Sequence, residues 1–61
     1  MPNPEVVLRN RIETSWRNSA NCRELAGKAL SAGDRYRWLT MSKFWVDRAK
    51  SAEEEQAVAQ D

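Results

Sequence analysis

Sixty-one residues, one cysteine, no histidine and a formal net charge of +1 leave room for one small domain whose lone core is marginal. Cys22 alone closes no internal disulfide. A single Cys without His also falls short of the four ligands of a structural zinc site, so regular helix packing and self-association remain as the means of stabilisation.

The N-terminal stretch MPNPEVVLRNR lacks the features of a signal peptide. No run approaches the roughly 18 apolar residues of a membrane span. With the free thiol, which suits a reducing compartment, these readings predict a cytoplasmic protein that begins at its own initiator, Met1.

Strand signals are poor: there is no alternating run and no Asn-Gly or Asp-Gly turn. Helix signals are good. Asn3 suits an N-cap, Pro4 the first helical position, and Glu5 the acid-favouring first turn. A first helix is predicted over about Pro4–Ala32, with Gly27 inside it at a cost of roughly 1 kcal/mol, tolerated where a neighbouring backbone or ring comes close. Gly33 is expected to end that helix in the left-handed conformation and Asp34 to cap the next. A second helix follows over about 35–57, and the last residues of the acidic tail, AVAQD, are expected to fray. So short a turn makes an antiparallel hairpin; the whole chain, 1–61, is one all-α domain.

At 3.6 residues per turn the first helix carries a row of Leu8, Ile12, Ser15, Ser19, Cys22, Ala26 and Ala29, flanked by Trp16, Arg23 and Leu30. The second carries Trp38, Ser42, Trp45, Ala49 and Ala52. Folding about Gly33 pairs residues whose numbers sum to about 67, setting Trp38 against Ala29 and Trp45 against Cys22, with Ser42 near Leu25 and Ala26. Large faces small, and all three tryptophans are expected in the core. Cys22 is then an inert filler; a reactive thiol, prompted by the adjacent Arg23, is the rival reading.

Some apolar residues lie off this seam. Arg37, Met41, Phe44 and Arg48 form a second stripe, and Leu8 and Ile12 widen the apolar side of the first helix. These six are the candidate protein interface, because an exposed apolar patch marks an interaction site. A two-fold dimer, closing a four-helix bundle, would cover it.

No catalytic, cofactor-binding or metal-ligating set is identified. Without His a nucleophile–base pair would need Lys or a carboxylate, and no paired carboxylates or phosphate loop stand out. Val6–Lys50 carries ten Lys/Arg against four acids, a net of +6. That excess makes nucleic acid the alternative partner, with Arg9, Arg11, Arg17, Arg35 and Lys43 as candidate contacts. Tyr36 and Phe44 are the rings left over for stacking on bases.

The stretch ANCRELAGKALSAGDRYRWLTMSKFWVDRAKSAEE resembles a widespread group of small bacterial helical-hairpin proteins, common in alphaproteobacteria. Their pattern runs A-x-C-R-x-L-A, a short Asp-containing turn, then W-x-x-x-A. Ala20, Cys22, Arg23, Leu25, Ala26, Asp34, Trp45 and Ala49 carry the match, and Trp38 and Phe44 stand where the group often has Leu or Ala. The resemblance implies a hairpin and brings no activity with it. In size and design the chain is also similar to Rop, a small plasmid RNA-binding dimer of hairpins, by analogy of architecture alone. The expectation is a non-enzymatic adaptor, regulator or accessory subunit that binds another protein; a Rop-like RNA-binding dimer is the alternative.

Overall fold

The computed structural model describes residues 3–59. Met1, and Gln60 and Asp61 of the tail expected to fray, lie outside the described residues. The described residues form two helices: α1, Pro4–Lys28, and α2, Ala32–Ala59. They pack against each other along their lengths, in an envelope of 45 × 19 × 13 Å. Among the described residues no helix is long and apolar enough to cross a membrane.

The start of α1 follows the capping logic. The Asn3 side chain accepts a hydrogen bond from the Glu5 backbone N–H at 2.9 Å, and Pro4 stands at the first helical position, where its missing donor costs nothing. The end of α1 corrects the expectation. It stops at Lys28 rather than Ala32, because Ala29 is extended (φ −66°, ψ 136°). The turn is therefore 29–31, not 33–34. Gly33 is helical, with no positive φ among the described residues. Asp34 is not the cap of α2: its backbone N–H donates to Ser31 Oγ at 3.1 Å, and the first full-turn bond runs from Arg35 N–H to the Ser31 carbonyl. Ser31 is thus the N-cap, and Asp34 an acid in the first turn, where the helix dipole favours it.

Moving the turn leaves Leu30 at the hairpin tip, fully in solvent (103%), rather than in an apolar stripe of α1. It also resets the register. Ser42 meets Ser19, not Leu25 and Ala26: its Oγ lies 3.1 Å from both Ser19 Oγ and the Ser19 carbonyl. Numbers across the seam at this point sum to 61.

The buried row itself is as spaced in the sequence: Ser15, Ser19, Cys22 and Ala26 on α1, with Ser42, Ala49 and Ala52 on α2. The steps are four, three and four on α1 and seven and three on α2, the pattern of helices that pack at a shallow left-handed angle. All seven are small, so the backbones approach closely. Such closeness excludes bulky rings from between the helices. Trp38 and Trp45 are half-buried and Trp16 is 40% exposed, so the tryptophans flank the core rather than form it. Nothing lies within 4 Å of a Cβ built on Gly27, so no close neighbour explains that glycine. Tail residues 57–59 are helical, continuous with α2.

Candidate functional site

The seam divides the hairpin surface into two long faces, and one contact on each fixes which residues share it. On the first, Arg11 of α1 reaches Glu55 of α2 at 4.0 Å. Seven-residue steps keep side chains on one side of a helix, so Arg37, Met41, Phe44, Arg48 and Glu55 line the α2 half of this face, and Val7, Arg11, Asn18 and Leu25 the α1 half. On the second face, the Trp16 indole N–H donates to Glu53 Oε1 at 2.7 Å. Ile12 and Arg23 lie with Trp16, and Leu39 and Val46 with Glu53.

The first face holds a cluster that the sequence only hinted at. The Phe44 and Trp45 rings meet edge-to-face, centroids 5.4 Å apart at 70°. The Arg48 guanidinium lies over both, 5.4 Å from the Phe44 centroid and 5.6 Å from that of Trp45. A cation against ring faces is attracted by their quadrupole. This contact holds Arg48 beside an otherwise open apolar surface: Phe44 is 52% and Met41 45% exposed. Next to Phe44, toward the open end of the hairpin, lies a shallow hollow. Arg48, Asp47 and Glu55 of α2 and Arg11 of α1 bound it, and Ala52 lines its inner side.

The six interface candidates therefore separate. Arg37, Met41, Phe44 and Arg48 are exposed and share one face. Leu8 and Ile12 are half-buried: Leu8 is on the seam, beside a hollow with Val7, Arg11 and Glu55, and Ile12 leans to the Trp16 face. The five cations do not gather either. Arg11 is on the Phe44 face, Arg9 and Arg35 turn to the Trp16 side, and Arg17 and Lys43 occupy the outer backs of their helices. Tyr36, 73% exposed, is likewise remote from the Phe44 cluster, on the outer back of α2.

Glu53 and Glu55 fall inside the predicted second helix, but their contacts to α1 were not foreseen. Each sits one flank away from the small-residue row, and each has a donor-bearing residue on the matching flank of α1. That complementarity was present in the sequence, and the register set by the turn decides which residues meet. Cys22 is 5% exposed, a position that suits a filler in the seam. Among the described residues no three His, Cys, Asp or Glu are grouped as metal ligands.

Compared with family models, curated proteins and solved structures, the chain matches none of them.

Proposed function

We propose that the chain is a non-enzymatic protein-binding module, an adaptor, regulator or accessory subunit, that works through its helix faces and self-associates into a four-helix bundle. One observation carries this reading: the described buried residues are all small, and the large apolar side chains Met41, Phe44, Leu25 and Leu39 are only about half covered (41–52% exposed). A globular chain of 7.0 kDa exposes about 4,000 Å², whereas this one exposes 4943 Å². The excess is comparable to one side of a standard interface, ~800 Å². The half-exposed apolar side chains within that surface are favourable to cover.

The nucleic-acid reading rests on the net +6 of Val6–Lys50. It gains little from the scatter of Arg9, Arg11, Arg17, Arg35 and Lys43 around the hairpin, because phosphate binding rewards charges gathered along one track.

A photo-crosslinking residue at Met41, in the full chain in cells, tests the proposal. Protein adducts that vanish on Phe44→Ala are expected. Adducts to RNA, or protein adducts indifferent to Phe44→Ala, contradict it.

A further inference from the structure

We infer that the occupant of the Phe44 face is a second copy of this chain, docked face to face with its turn at the opposite end, about a two-fold axis that crosses α2 near residue 46. This rests on the reading of that face as a docking surface and names its partner and register.

The Phe44 face carries both a knob and a hollow. Phe44 is half exposed and forms one wall of the hollow, which runs on from it along α2 between Arg48, Asp47, Glu55 and Arg11. A two-fold between knob and hollow inserts each Phe44 into the hollow of the other copy, so one patch supplies both halves of the contact, as an isologous interface requires. Residues of α2 whose numbers sum to about 92 then meet across the axis.

The same operation aligns the charges. Arg37 lies roughly 27 Å along α2 from Glu55 at 1.5 Å per residue, at the turn end of the face, with Glu55 at the open end. Across the two-fold, Arg37 of each copy meets Glu55 of the other, opposite charges at both ends. Phe44 meets Arg48, whose guanidinium already lies over ring faces within its own chain.

The α1 half agrees without adjustment. The Ser19–Ser42 contact sets α1 residue 15 level with α2 residue 46, so α1 residues summing to about 30 meet. Val7 then faces Leu25, apolar on apolar, both partly exposed in one chain. Arg11 faces Asn18, whose side-chain carbonyl accepts hydrogen bonds.

The other two-fold available to stacked hairpins runs along their length and lays α2 over α1 of the copy. It brings Arg48 within a turn of the copy's Arg11, like charge on like charge, and sets Glu55 near Val6 and Val7. Charge complementarity selects the first arrangement. Area permits it: a 45 × 19 Å face matches the ~800 Å² per partner of a stable interface.

The test uses the full chain in a Cys22→Ala background. Sedimentation at micromolar concentration is expected to give twice the 7.0 kDa chain mass, and Phe44→Ala to weaken association by about tenfold or more, as a central aromatic anchor does. Arg37→Cys with Glu55→Cys together should oxidise to a covalent dimer, since the two positions are too far apart to bond within one chain. Either cysteine alone should not. A monomer at these concentrations, or a dimer that the paired cysteines do not link, overturns the inference. A monomer whose Met41 protein adducts are still lost on Phe44→Ala would mean that the face docks a different protein: the homodimer fails and the docking reading stands. Adducts indifferent to Phe44→Ala would count against both.

Discussion

Ser19 and Ser42 face each other inside the seam, Oγ to Oγ at 3.1 Å, with Ser42 Oγ also 3.1 Å from the Ser19 carbonyl. A hydroxyl has one proton to give. Ser42 donates to the carbonyl, so Ser19 donates to Ser42, and among the described residues no buried side-chain polar atom lacks a partner. A polar pair matched across the seam in this alignment disfavours slipped registers, because a slip breaks both cross-helix bonds and leaves each hydroxyl only the carbonyls of its own helix.

Ser42→Ala removes both cross-helix bonds but leaves Ser19 able to turn to its own helix. A loss of about 1 kcal/mol in urea unfolding is expected. Ser42→Leu keeps the row apolar yet forces the helices apart. It should cost about 1–3 kcal/mol, measured the same way, and more than the alanine.

Gly27 and Gly33 are both helical with open space where a Cβ would stand. Gly27→Ala and Gly33→Ala should therefore each stabilise the fold by about 0.4–1 kcal/mol, mainly by reducing the freedom of the unfolded chain. Thermal melts of the two single variants check this, and a loss of stability in either would mean that its neighbourhood is more crowded.

Cys22 lies in the seam at 5% exposure. Its reaction with a thiol reagent should be slow in the native protein and fast in urea, since it must wait for the helices to part. Native reactivity equal to that of the unfolded chain would remove Cys22 from the core.

The small-residue row was legible because its spacing of three and four is a property of the sequence alone, and Asn3–Pro4–Glu5 announced the start of α1. The turn was misread because Gly33 looked like a helix stop, while Ser31, three residues before Asp34, carried the cap. Three residues of displacement were enough to move Ser42 from Leu25 and Ala26 to Ser19. The tryptophans were misplaced for a steric reason. Periodicity gives direction but not depth, and a seam of Ser, Cys and Ala brings the helices too close to admit an indole between them. The Phe44–Arg48 stripe was legible as a face, but its hollow was not, since that depends on how Arg11 of α1 approaches Glu55 of α2.

In the proposed division of the molecule, the Phe44 face is assigned to association and the small-residue seam to folding. Measuring helicity by circular dichroism and the association constant by sedimentation, on the same preparation of Phe44→Ala, tests it most directly, with Ala49→Leu as counterpart at a fully buried position (0%). Phe44→Ala should stay helical and associate about tenfold or more weakly, while Ala49→Leu should lose about 1–3 kcal/mol of fold stability. A Phe44→Ala protein that unfolds, or that associates as tightly as the parent, would contradict the account.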